Sequence, residues 1–296
     1  MKQTWRILAA AALISATALA EDVVPDLAAV HGIEMYAGPE SGKQILKQNG
    51  FVVTRDYCRR IFDPYRIETQ PHFITADSVP CTFHVTFEDL LKATETSLSA
   101  KVLELTQAVQ EKVATSNAPW IPDPARKLAT EYFLVVTCIL REDNADAKPM
   151  PEVLQELDLI NAAQRVALSP LFGYRIAYTQ FKPRGFYTES ATLRQYFKAM
   201  SWLGNAAFLS RSDVQSMAAL AITATLSELP DQTTAWSDID RFYSYLIAQC
   251  DDLTPMDYMK IFPKLFSQNS PSEVLRAFRA EIESLHDPAI NSMPLD

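Results

Sequence analysis

Tyr178, Lys182, Arg184 and Tyr187 crowd into one short stretch, YTQFKPRGFYT. Together these side chains suit a ligand-binding pocket. Tyrosine rings stack on a sugar, and the two cations clamp an anionic group through charge-assisted hydrogen bonds. The surrounding loop, Ser169 to Ser190, adds Tyr174, Arg175 and Phe181. The chain contains only 7 glycines, so glycine is not spent here as filler. Loops of bulky, specific residues carry function when a rigid scaffold positions them. The same composition also suits a second role, in which the aromatics pin a long loop to the helices. The cations then pair with the chain's many carboxylates.

A second constellation is His84 with Asp77 and Glu88. Helical spacing puts His84 and Glu88 on one face. A histidine with carboxylates holds a divalent metal or works as an acid–base pair. The alternative is a histidine at the edge of the core, bonded to Glu88, with Asp77 as a helix cap. Asp251 and Asp252, in CDDLTPMDY, offer a cation site or a pair of catalytic acids, or else cap the helix that Thr254 and Pro255 open. The cysteines are Cys58, Cys81, Cys138 and Cys250. Cys58–Cys81 is the disulfide to test first. Cys138 lies in the apolar run YFLVVTCIL and reads as a buried thiol. No C-x-x-C spacing is present, so a zinc ribbon is not indicated.

Familiar signatures of nucleotide binding and hydrolysis are absent: G-x-G-x-x-G, G-x-x-x-x-G-K-[ST], G-x-S-x-G and H-E-x-x-H do not occur. The residues name no cofactor, and they leave open whether the protein is an enzyme. With 36 acidic against 27 basic residues, the net charge is −9, and no basic cluster breaks the pattern. A nucleic-acid partner needs a basic face and is not expected. At 48% hydrophobic and 21% charged residues, the 296-residue chain has the composition of an ordinary globular protein.

Residues 1–20 read as a secretory signal. Lys2 and Arg6 precede the apolar stretch Ile7 to Leu19, and Ala18-Leu19-Ala20 forms a small-x-small cleavage site. This implies export to the periplasm or beyond the cell. The apolar run over 132–140 is too short to span a bilayer, so no transmembrane segment is expected after signal removal. Residues 21–75 form a mixed segment with turn signals, and residues 76–296 a helical domain.

The elements that must position these side chains are mostly helices. SGKQILKQNG reads as a short helix ended by Gly50, and FVVT after it as a short strand. A long helix starts at Asp77 or Ser78, with Pro80 in its first turn. Phe83, Phe87, Leu90, Leu91, Thr94 and Leu98 follow helical spacing along it. Further helices are expected over 124–141, 151–166, 188–209 with Thr188 as N-cap, 210–229 and 235–249. Two more open at Pro255 and at the capping box Ser270-Pro271-Ser272-Glu273. The fold class is therefore mainly α: a multi-helix array, with a small mixed N-terminal segment containing a short strand packed on it.

Several stretches together resemble a family of proteins of unknown function, DUF3160. They are NGFVVT (Asn49 to Thr54), PHFITADS with the His84 helix, SPLFGY, YTQFKPRGFYTES, YFKAMSWLG and DDLTPMDY. The likeness runs through most of residues 40–262, and QFKPRGFYT is its most specific part. It implies an exported, mainly helical protein of bacterial or archaeal type, and it supplies no activity. The family usually follows its Asp-Ser with an apolar residue and a histidine; here Val79-Pro80-Cys81 stands there, although His84 remains. Family members are commonly longer, so the resemblance implies that this chain is either a short form or a fragment. The reading that results is an exported binding or structural domain with a glycan, peptide or protein ligand. The alternatives are a hydrolase of glycans or other extracellular polymers, using carboxylates near the 169–190 loop, and a metal-binding protein using His84.

Overall fold

A computed structural model describes residues 26, 28, 40–53, 78–148, 150–248, 252–265, 270–282 and 285. The chain divides into two compact units, Met1–Phe87 and Glu88–Asp296.

In the first unit, helix α1 spans Glu40–Asn49. Gly50 ends it at φ 76°, where its N–H donates to the Leu46 carbonyl at 2.9 Å. That left-handed turn suits a residue without a Cβ. Phe51–Val53 then runs without regular structure, and not as the start of a strand. Among the described residues no strand pairs with it, and an isolated strand leaves its backbone groups unsatisfied. Helix α2, Ser78–Ala114, begins in this unit, where the rings of Phe83 and Phe87 stack at 5.8 Å.

The second unit holds the core. The buried residues of α2 are Glu95, Leu98, Val102, Leu105, Thr106, Val109 and Val113, a stripe at helical spacing. Helix α3 covers Asp123–Arg141, with a proline in its first turn and nearly every residue from Leu128 to Ile139 buried. The apolar run read as a core segment is one. Cys138 within it is a buried thiol, and burial pushes its pKa up to about 11. Helix α4 spans Pro151–Ala162 and stops at Ala163, φ 47°, earlier than its sequence pattern suggests. Val166–Leu168 (β1) instead pairs antiparallel with Arg175–Ala177 (β2), Val166 facing Ala177. Three residues are too few to display the alternation of a strand, so the apolar pattern reads as more helix.

Helix α5 is Ala191–Asn205. Its N-cap is Ser190, whose hydroxyl accepts from the Leu193 N–H at 3.1 Å. Thr188, expected to be the cap, belongs to the preceding 3-10 turn and donates to the Gly185 carbonyl at 2.8 Å. Helix α6, Asp213–Ser227, is capped by Ser212 and buried continuously from Gln215 to Leu226. Its small residues, Ala218, Ala219, Ala221 and Ala224, suit close packing. Helices α7 (Pro230–Ile247), α8 (Pro255–Leu265) and α9 (Pro271–Ile282) follow. Thr254 opens α8 with its N–H and hydroxyl both on Asp257 Oδ2, at 2.9 and 2.8 Å. Ser270 opens α9 with its hydroxyl on Glu273 at 2.6 Å.

Helix α3 packs against α4, α5 and α6, and α6 also against α7, α8 and α9, so these two form the centre. The fold is mainly α, as the sequence pattern implies. No described helix is long and apolar enough to cross a membrane.

Candidate functional site

The aromatic loop divides between packing and a cavity. Its first part is anchored to the core. Tyr174 is buried and donates to the Ala207 carbonyl at 2.8 Å. Phe172 sits among Tyr132, Trp202 and Phe208, with ring centroids 6.0, 5.8 and 5.2 Å away. Gly173, φ 71°, makes the tight turn, and its N–H reaches the Ser169 carbonyl at 2.9 Å. Beneath it lies Glu156 of α4, fully buried. Glu156 Oε2 accepts from the Ser169 hydroxyl at 2.6 Å and the Leu171 N–H at 3.4 Å. Glu156 Oε1 accepts from the Tyr178 hydroxyl. Both carboxyl oxygens are thus engaged. Burial raises the pKa of this carboxyl, against the hydrogen bonds that lower it. Tyr178 itself has no exposed surface and packs on Phe181 at 5.6 Å. It pins the loop and lines no cavity described here.

Tyr187 differs. Its 3-10 turn, Gly185–Thr188, packs on α5. The ring sits between Phe186 and Phe197, with centroids 4.3 and 4.8 Å away. Its hydroxyl donates to Glu95 Oε1 at 3.0 Å, across to α2. The Tyr243 hydroxyl, from α7, donates to the same oxygen at 3.0 Å. Tyr243 also lies 2.8 Å from the Tyr196 hydroxyl of α5. Tyr243 has one proton and gives it to Glu95, so Tyr196 must donate to Tyr243. A directed chain results: Tyr196 to Tyr243 to Glu95, with Tyr187 joining from the other side.

Glu95 is only 2% exposed, and its second oxygen, Oε2, is buried without a hydrogen-bond partner among the described residues. Burial raises its pKa, and the bonds from Tyr187 and Tyr243 lower it in part. No cation contacts this carboxyl among the described residues. Lys92, one turn earlier on α2, pairs with Glu189 at 3.0 Å and lies 5.9 Å from the Phe186 ring centroid. In front of the cluster is a cavity of about 280 Å³ lined by Tyr187, Tyr196, Phe197, Met200, Ser201 and Tyr243.

Of the sequence candidates among the described residues, then, only Tyr187 lines this cavity. Lys182 and Arg184 are exposed and are not among its lining residues. His84 is exposed on α2, and Glu88 lies 4.0 Å from Lys92. Asp77 and Cys58 lie outside the described residues, as do Asp251 and Cys250, so the proposed metal set and the Cys58–Cys81 pairing do too. Among the described residues no group of three or more His, Cys, Asp or Glu side chains could hold a metal ion. Glu95, Tyr196 and Tyr243 were not singled out from the sequence. Glu95 carried a signal: it stands at i−3 and i−7 from Leu98 and Val102, a carboxylate in an apolar stripe. Tyr243 carried none, because its partner is distant in sequence.

A larger cleft, about 660 Å³, lies between the ends of α2 and α6 and the turn at Ser116–Ile121. Its two charges, Lys112 and Glu228, pair with each other at 3.0 Å. The tyrosine cavity is chemically the sharper of the two, because it alone backs onto a buried, half-satisfied carboxyl.

No curated protein and no solved structure matches the chain significantly. A family model for proteins of unknown function, DUF3160, matches residues 39–295, most of the chain, and includes the loop, Glu95 and all three tyrosines. The chain belongs to the DUF3160 family.

Proposed function

We propose that the protein is an exported helical binding domain whose ligand enters the cavity at Tyr187. Export is supported by the charged, apolar and small-residue pattern of residues 1–20. The observation that carries the binding role is Glu95. A buried carboxyl with one unpartnered oxygen is expensive, and proteins keep such groups where they serve something other than stability. Here it stands behind an aromatic cavity lined from two helices, α5 and α7, and the turn that carries Tyr187. Mostly apolar walls with a few convergent polar groups are the usual make-up of a small-molecule site. At about 280 Å³ the cavity fits a compact ligand better than a polymer segment.

The test is a fragment screen by ligand-observed NMR on the full chain, repeated on Phe197→Ala and Tyr187→Phe. Hits that compete with one another and weaken in both variants support the reading. Hits that bind both variants as well as the parent protein place the ligand elsewhere and end it.

A further inference from the structure

Resting on that reading, we propose that the cavity takes a small organic ammonium cation, alkylated at nitrogen, held by an aromatic cage. Four rings line it: Tyr187, Tyr196, Phe197 and Tyr243, with the polarizable thioether of Met200 beside them. Ring faces attract cations, and most strongly when the site is desolvated. No Lys, Arg or His is among the lining residues, so no resident cation competes for the rings.

The hydrogen bonds point the same way. The protons of Tyr187 and Tyr243 go to Glu95 Oε1, and that of Tyr196 goes to Tyr243. All three hydroxyl protons are therefore spent inside the protein. What remains toward the cavity is ring surface and oxygen lone pairs, with the Ser201 hydroxyl as the one donor among the lining side chains. An anion, or a ligand rich in acceptors, finds little to bond. A phenol that donates to a carboxyl group also gains electron density in its ring, which strengthens its pull on a cation.

Glu95 supplies the missing charge balance. It is buried, has no cation in contact among the described residues, and leaves Oε2 unpartnered. A cation seated among the rings compensates the carboxylate through the two tyrosines that touch it. A hydrated metal ion prefers oxygen ligands and fits this apolar lining poorly. An alkylated ammonium has little hydration to lose and no need of hydrogen-bond acceptors on every side. The small volume sets the ligand well below drug size.

The experiment is an NMR titration of the full chain carrying 13C-methyl methionine, with the Met200 methyl as reporter. The probes are choline and its uncharged tert-butyl isostere, in which carbon replaces nitrogen. Choline should shift the Met200 resonance saturably, and the isostere should bind about tenfold more weakly or worse. Glu95→Gln, which keeps the side-chain shape, should weaken choline by a similar factor and leave the isostere unchanged. If the isostere matches choline, the cation proposal falls while the cavity stands as a binding site. If choline leaves Met200 unmoved, the cation proposal also falls, and the fragment screen judges the cavity independently. If Glu95→Gln binds choline as tightly as the parent protein, the carboxyl has no part in it and the charge argument is wrong.

Discussion

Two buried glutamates show how one side chain can serve two different ends. Glu156 has both oxygens bonded and closes the turn from Ser169 to Tyr174. Glu95 has one oxygen bonded twice and the other, among the described residues, not at all. The first is a structural fastening, and the second backs the cavity proposed to bind a ligand. Tyr178→Phe separates them. It deletes the donor to Glu156 Oε1 and leaves a buried acceptor unpaired, which costs about 1–3 kcal/mol. Urea unfolding should show that loss with ligand binding at the cavity unchanged in the native protein; an unaltered midpoint would mean the bond contributes nothing. From the sequence, the Tyr178–Tyr187 segment was visible as dense in aromatics and cations, but not which ring does what. That division depends on Glu95 and Glu156, which lie 92 and 22 positions from their tyrosines. Nothing local in the loop encodes either partner.

At the scale of elements, the helices were legible because each carries a local signal. Pro124, Pro151, Pro255 and Pro271 stand in first turns, where a missing N–H costs little. Pro230 does so as well, and α7 starts there rather than at Ala235, where the sequence pattern puts it. At the capping-box spacing Ser270–Glu273 the two side chains bond each other instead, the Ser270 hydroxyl donating to Glu273 Oε2 at 2.6 Å. Besides the strand expected at Phe51, two features stand elsewhere than the sequence pattern implies, for a physical reason. The strand Val166–Leu168 is defined by its pairing with β2, not by its own three residues. The sequence pattern offers Thr188 as the cap of α5, although Ser190, two positions on, is an equally good capping type. Which of two adjacent cap residues is used depends on where the chain leaves the previous turn, and Thr188 is held by Gly185. Substitution distinguishes them. Ser190→Ala removes the acceptor for the Leu193 N–H and should cost about 1 kcal/mol. Thr188→Ala loses only an exposed bond and should cost less. Equal losses in paired thermal or urea unfolding would show that α5 is not capped as the structure has it.

At the scale of the molecule, the buried acids pull the dependence of stability on pH against the usual direction for carboxylates. Glu95, Glu131 and Glu156 all have raised pKa values, each chiefly through burial, from an ordinary 4.5. A carboxyl whose folded pKa lies above its unfolded value holds its proton better in the native state. Its contribution is complete below 4.5 and is lost as pH rises through the folded value. Asp257 runs the other way. Burial alone would raise it, but Lys260 and the N–H and hydroxyl of Thr254 hold it down to about 2, from 3.8. Its contribution is complete above 3.8 and is lost as pH falls toward about 2. For these four groups the stabilities coincide between 3.8 and 4.5. Most proteins are instead most stable between ~pH 5 and 8. Each buried glutamate adds a slope of at most about 1.4 kcal/mol per pH unit within its own window. Calorimetry should therefore find the contribution of these three glutamates to Tm falling as the pH rises above 4.5. Glu156→Gln should flatten that fall, whatever it does to absolute stability, because it removes one titrating group. The same linkage reaches the ligand. The groups facing Glu95 are the Tyr187 and Tyr243 hydroxyls, with Tyr196 behind Tyr243 and Lys92 on its own helix engaged by Glu189. A bound ammonium favours the ionised carboxylate, so it must release a proton wherever Glu95 is still protonated. Choline should then bind more tightly as the pH rises, while the contribution of these glutamates to Tm falls. A choline affinity that is flat over the range in which that contribution falls would break that link and show that Glu95 does not sense the occupant of the cavity.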